Sequence, residues 1–259
     1  MCLLVLAWEA HPRYRLIVAA NRDEYHDRPA APLAPWSAPE GLLAGRDLRA
    51  GGTWLGLDRR RRFGVITNFR ELTPSPPGAP SRGQLIPRYL QGEAGAGAYL
   101  GAAEAGAAGY GGFNLLLADE RALWYGSNRS QPFARELPAG IYGLSNERLD
   151  TPWPKLRRVR RAFESWLGQD PLSFEPLFAA LGDREPAAAQ ELPPPGGLEP
   201  QWERALSAPF VVHPRYGTRC STVLALEHEG ALRVMERRFG ARGEPQGESD
   251  YRVPPGQWV

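Results

Sequence analysis

Two cysteines, four histidines and one lysine in 259 residues leave this chain short of the side chains that most often bind metals or cross-link a fold. Cys2 and Cys220 allow at most one disulfide, and nothing in the chain indicates an oxidising compartment. His11, His26, His213 and His228 stand singly, without the paired spacing of a zinc site, so no metal is expected. Long apolar runs are also missing: the one starting at Cys2 stops at Trp8-Glu9 and has neither a basic leader nor a small-residue cleavage site. These absences lead to an expectation of a soluble, cytoplasmic protein with no transmembrane segment. A net charge of +2 lacks the excess that nucleic acid or an anionic membrane would call for, so neither is an expected partner. Of the 31 basic side chains all but Lys155 are arginine; arginine lies on every kind of segment, which reads as compositional bias more than function.

What is present begins with two apolar runs, Cys2 to Trp8 and Leu16 to Ala20, the second ending in Asn21-Arg22-Asp23-Glu24. A hairpin closing around His11-Pro12 would set Trp8 opposite Arg15 and bring Cys2 beside Asn21. A thiol near the chain start would then meet four polar residues that need partners if buried.

Arg28 to Pro39 reads as an irregular loop, because its prolines remove backbone donors. Leu42-Leu43-Ala44 reads as a short strand. The glycine-punctuated run from Gly45 to Gly56 suggests unusual backbone angles or close approach to a ligand, but it has no phosphate-binding spacing. Strands are expected at Thr53 to Leu57 and Phe63 to Asn68, with Asp58 to Arg62 as a solvated turn. A proline-rich loop follows at 74–78, then helices from Gln84 to Gln91 and in the Ala/Gly-rich stretch to Ala108. Phe113 to Ala118, Ala122 to Gly126 and Ile141 to Leu144 read as strands. Thr151-Pro152 opens a helix whose Leu156, Val159, Phe163, Trp166 and Leu167 form one apolar face, and Phe174 to Leu181 suggests another. Strand patterns resume at Phe210-Val211-Val212, Thr218 to Leu226 and Leu232 to Phe239, so the loop at 192–197 is not a boundary and residues 1–259 form one domain. The element order favours antiparallel sheets with segregated helices, and a four-layer sandwich fits the length.

Cys2 leads the candidates for chemistry. Initiator methionine is usually removed ahead of a small residue, and a free α-amine on Cys2 can then serve its own thiol as base near neutral pH. A buried strand cysteine is the structural alternative. Arg22 favours thiolate or holds a substrate carboxylate, and Asp23 orients the amine; a strand-end ion pair is the alternative for both. Asn68 and Asn146 each end an expected strand, where an amide can donate to an oxyanion or merely shape a turn. Arg219 either completes the cluster or caps a strand.

Taken together, Met1-Cys2 with Asn21-Arg22-Asp23-Glu24, Gly45-Arg46-Asp47 with Gly51-Gly52-Thr53-Trp54-Leu55-Gly56, Thr67-Asn68-Phe69-Arg70, Gly112-Phe113-Asn114-Leu115, Leu144-Ser145-Asn146 with Leu149-Asp150-Thr151-Pro152-Trp153-Pro154, and Tyr216-Gly217-Thr218-Arg219 closely resemble the NRDE family, also called transport and Golgi organisation 2. The match runs nearly the whole chain in order. The resemblance implies an α+β, N-terminal nucleophile (Ntn) hydrolase-like fold, an αββα sandwich with Cys2 at the mouth of the central cleft. By analogy with cysteine acylases of that fold it implies a site of Cys2, Arg22, Asp23, Asn68, Asn146 and Arg219. One departure is that Arg22 and Asp23 are adjacent, where those acylases separate them, and adjacent residues of a strand point to opposite faces.

Two functions follow. An amidohydrolase would cleave a small-molecule acyl amide at Cys2 and require no cofactor. The family's association with haem and with acyl-CoA or acyl lipid implies instead a binding and trafficking protein whose arginines hold propionates or phosphates, since fold says little about activity. If Met1 is retained, the hairpin is purely structural. Nothing in the chain fixes an oligomeric state.

Overall fold

The computed structural model describes residues 2–71, 78–169, 173–192 and 198–259. Met1 and the loop residues 74–77 and 193–197 lie outside that set. Strands β1 (Cys2–Trp8) and β2 (Tyr14–Tyr25) form the first hairpin. They are followed by β3 (Ala30–Pro35), β4 (Leu42–Asp47), β5 (Leu55–Asp58) and β6 (Phe63–Asn68). Helices α1 (Leu85–Gln91) and α2 (Ala96–Glu104) come next, then β7 (Phe113–Ala118), β8 (Leu123–Ser127), β9 (Ala134–Leu137) and β10 (Gly140–Leu144). Helices α3 (Pro154–Leu167), α4 (Glu175–Leu181) and α5 (Pro200–Leu206) precede β11 (Val212–His213), β12 (Tyr216–Glu227), β13 (Leu232–Phe239) and β14 (Pro245–Val253).

Every strand pair is antiparallel. One sheet runs β10-β1-β2-β12-β13-β14, with β11 on β12, and the other runs β3-β4-β5-β6-β7-β8-β9. Strand alternation sorts the core. Leu4, Leu6, Leu16 and Val18 meet Leu43, Leu57, Phe63 and Leu116 between the sheets. Their neighbours Leu3, Val5, Ile17 and Ala19 pack outward against Leu156, Val159 and Phe163 of α3 and Leu177 of α4. Ile66, Leu115 and Leu117 do the same against Ile86 and Tyr89 of α1 and Leu100 of α2. The result is the expected αββα sandwich. Among the described residues no helix is long and apolar enough to cross a membrane.

The first hairpin closes one residue later than its sequence suggests. Trp8 pairs with Leu16 and Cys2 with Arg22, because Glu9 takes a left-handed turn (φ 48°) and donates its N–H to Arg15 O at 2.8 Å. The prolines after Arg28 do not prevent a strand either. β3 lies at a sheet edge, where a missing donor costs no ladder bond, and its pairing skips across Pro32 between Ala31 and Ala34. β9, β14 and α5 had no clear signal, being short or mostly polar.

The arginine run after β5 is also less solvated than expected. Arg62 is buried: its Nε donates to Asp58 Oδ2 at 2.7 Å and its Nη2 to Leu90 O. Asp58→Ala would leave that guanidinium buried and unpaired, and should cost about 3–5 kcal/mol in denaturant unfolding. Arg60→Ala, two residues away on the exposed side, should leave the unfolding midpoint unchanged. Equal midpoints for the two variants would return the whole run to solvent.

Candidate functional site

The site lies where β1 and β2 leave the apolar core. Cys2 continues the inward row of Leu4, Leu6 and Trp8, so its side chain faces the space between the sheets. Arg22, its cross-strand partner, faces the same way. Asn21 and Asp23 therefore sit on the row that packs under the helices, and the polar tetrapeptide, instead of capping a strand, lies inside one.

Each of these side chains has a fixed environment. Asn21 is buried; its Nδ2 donates to Leu181 O at 2.8 Å and Pro209 O at 2.9 Å, and its Oδ1 accepts from Ser221 Oγ at 2.6 Å. Asp23 Oδ1 accepts from Thr218 Oγ1 at 2.7 Å, and its N–H points at the Cys2 sulfur. Burial pushes the Asp23 carboxyl up, opposed by the charge of Lys155, the Thr218 hydroxyl and Arg22. Arg22 stacks over the Trp54 ring at 4.2 Å, lies 3.9 Å from Glu24 Oε2, and keeps one buried guanidinium nitrogen, Nη1, without a hydrogen-bond partner. Burial also raises the Cys2 thiol, with the Asp23 charge adding to it and the Arg22 charge opposing.

The asparagines are joined to Cys2 by backbone as well as side chain. Beyond β10, Ser145 Oγ donates to Cys2 O at 3.1 Å, and Asn146 Oδ1 accepts from Cys2 N at 3.2 Å. Asn146 Nδ2 donates to Asn68 O at 2.8 Å, which ties the two sheets together at the mouth. Asn68 lines the cleft and is half-buried. Arg219 stands apart: Nη1 donates to Tyr25 O, His26 O and Arg28 O at 2.9–3.2 Å, and it is not among the cleft-lining residues. A register shift between Thr218 and Cys220 turns it toward the turn after β2, so it braces that turn instead of facing the thiol.

A cleft of about 310 Å³ opens over Cys2, bounded by Arg22, Trp54, Arg28, Asp47, Asn68 and Arg82 among others. Its far wall explains the glycine motifs. A Cβ on Gly45 would lie 2.3 Å from the Trp54 ring, so only glycine lets Trp54 cross β4 to reach Arg22. A Cβ on Gly52 would lie 2.4 Å from the Gly83 backbone, and Thr53 N–H donates to Gly83 O at 3.0 Å, which holds Arg82 at the cleft. The close approach expected of this loop is therefore to its own chain. Asp47 accepts Arg28 Nη2 at 2.6 Å; against its burial, that guanidinium holds Asp47 below the usual carboxylate range.

Two features went unread in the sequence. Lys155, on the first turn of α3, is buried with its Nζ lacking a hydrogen-bond partner, a position signalled only by its being the sole lysine. Arg82 falls between the expected loop at 74–78 and the expected helix from Gln84, in no motif that singles it out. Among the described residues no cluster of metal-ligating side chains is found. Cys220 flanks Arg22 on the side opposite Cys2, so the two cysteines are two strands apart, about 9.5 Å, too far for a disulfide.

The family model for transport and Golgi organisation 2 matches residues 1–241. The mouse transport and Golgi organization 2 homolog and its human counterpart are each 33% identical over 258 residues, covering 92% of this chain and of theirs. The Drosophila melanogaster protein is 26% identical over 277 residues, covering 96% of this chain and 95% of its own. Among solved structures, a Caenorhabditis elegans N-acylethanolamine-hydrolyzing acid amidase ortholog aligns with a TM-score of 0.44 at 12% identity, over 86% of this chain and 92% of that one.

The two thiols should differ in reactivity. Iodoacetamide should modify Cys2, which faces the cleft, at a rate still climbing above pH 9 because its thiol is raised. Cys220, buried beside Glu236 and raised well above the ordinary thiol value, should stay unmodified in the folded protein. Peptide mapping after graded labelling checks this; preferential modification of Cys220 would contradict the described geometry.

Proposed function

The chain belongs to the transport and Golgi organisation 2 family, and from that premise we propose that it is an Ntn-type amidohydrolase acting on acylated amines through Cys2. The observation that carries this reading is the meeting, at one cleft, of the Cys2 sulfur, Asn146 on the Cys2 backbone nitrogen, and a buried Arg22 N–H with no partner. Once Met1 is removed, that nitrogen is an α-amine held by Asn146 Oδ1. It takes the thiol proton as sulfur attacks the amide carbonyl, forming the C–S bond. Asn68, whose amide borders the cleft, and Arg22 Nη1 are the side-chain donors available to the oxyanion. The amine then passes the proton to the leaving nitrogen as the C–N bond breaks, and water hydrolyses the thioester to release the acid and restore the thiol. Asn146 orients the amine in this scheme: its Oδ1 holds the Cys2 nitrogen, one of its two amide N–H groups serves Asn68 O, and it is not among the residues that line the cleft.

A second reading, haem or acyl-CoA binding without turnover, is favoured by one observation. Arg82 reaches the cleft with a backbone carbonyl, Gly112 O at 2.8 Å, as its hydrogen-bond acceptor, which leaves its charge for an anionic group such as a phosphate or propionate. The described lining holds no histidine, so Cys2 would be the available thiolate or thiol ligand for a haem iron.

Intact mass comes first: the hydrolase reading requires loss of Met1. A panel of N-acyl amino acids and N-acyl ethanolamines should then leave a trapped acyl thioester on wild type and none on Cys2→Ala. Asn68→Ala should lower turnover by roughly 10²–10³-fold. Retained Met1 sinks the hydrolase reading, and saturable haem or acyl-CoA binding lost in Arg82→Ala, with no trapping on any amide, would establish the second one.

A further inference from the structure

No step proposed above uses Lys155. It is 4% exposed, sits on the first turn of α3 where the helix dipole disfavours a cation, and its Nζ has no hydrogen-bond partner. An ammonium left so is costly, and this chain uses arginine at every other basic position. A guanidinium there would bring five donors to satisfy where the ammonium brings three. The residue is held in place by its surroundings: Pro154 and Leu156 are buried on either side of it, and the Leu156 side chain packs onto Gly143 of β10, the strand that leads into Ser145 and Asn146.

We propose that Lys155 is a positioning residue of the Cys2 site, supplying the buried cation that balances the Asp23 carboxylate and the Cys2 thiolate. The placement follows from the strand alternation: Asp23 is on the face of β2 turned toward the helices, and α3 brings Lys155 to that face. Burial pushes the Lys155 ammonium below the usual lysine range, while the charges of Asp23 and the Cys2 sulfur favour its protonated form; its charge in turn opposes the burial of Asp23. The other charged groups near this cluster are the chain's terminal amine, which acts on both Cys2 and Asp23, Arg22 on β2, Arg70 after β6 with its ion-pair partner Glu203 of α5, Arg82 from the cleft wall, and Cys220 on β12. Arg70 is engaged by Glu203 and Arg22 stacks on Trp54, so neither replaces Lys155 on the Asp23 side.

The proposal rests on Cys2 being the reacting group, but its readout needs no turnover. In a Cys220→Ala background, the rate of Cys2 alkylation by iodoacetamide is measured against pH for wild type, Lys155→Met and Lys155→Arg, with folding checked by circular dichroism. Loss of one nearby charge should move the midpoint up by on the order of one pH unit in Lys155→Met. Lys155→Arg, which keeps the charge, should hold it near the wild-type value. If the methionine variant does not fold, Lys155→Gln is read in its place. An unchanged midpoint in the folded uncharged variant, or an equal shift in Lys155→Arg, overturns the proposal and leaves Lys155 a space-filling side chain. A protein that alkylates as predicted yet traps no amide separates failure of the hydrolase reading from failure of this one.

Discussion

Everything at this site depends on one strand having polar residues where it should be apolar. β2 is interior to its sheet, paired on both edges, and buried on both faces as far as Asp23. Side chains there cannot turn to water, and each unsatisfied group would cost about 1–3 kcal/mol. The fold answers residue by residue. Asn21 has three hydrogen bonds, Asp23 has Thr218, and Arg22 has an aromatic face. The supporting residues come from the ends of α4, from β12 and from the loop before β5, so distant parts of the chain are drawn to one point.

Strand parity then divides the labour. Cys2 and Arg22 turn into the cleft, while Asp23, which also borders it, gives its carboxylate to Thr218, and Lys155 lies in the layer behind. The adjacency of Arg22 and Asp23, which looked like a defect in the resemblance to cysteine acylases, is resolved by that division. Both residues border the cleft, but the Arg22 side chain stacks on Trp54 while that of its neighbour accepts from Thr218. The thiol stands at the boundary, receiving the Asp23 N–H from one strand while Asn146 holds its own backbone nitrogen.

Much of this was legible. The apolar alternation of β1 and β2, the stripe on α3 and the grouped motifs were enough for the sandwich and for Cys2 meeting the tetrapeptide. The one-residue register error shows the limit: a turn residue with positive φ at Glu9 is invisible in composition, yet it decides whether Asn21 or Arg22 faces the thiol. β3 was lost because proline counts against strands in general but not at an edge. Arg219 was assigned to the cluster by motif, and a register shift in β12 that no local pattern announces directs it to backbone carbonyls instead. Lys155 was hidden for the opposite reason, since a lone lysine on a helix otherwise ringed with arginine reads as surface.

The Asn21 side chain carries one further consequence. Its amide donates to Leu181 O, where α4 ends, and to Pro209 O, just before β11, so both feet of the excursion between them stand on the same group. A segment anchored that way can lengthen or shorten with little strain passed to its ends, because loop-closure entropy grows only slowly with length. The exception is α5, whose Glu203 pairs with Arg70, so a change that displaced that helix would release a guanidinium beside Lys155.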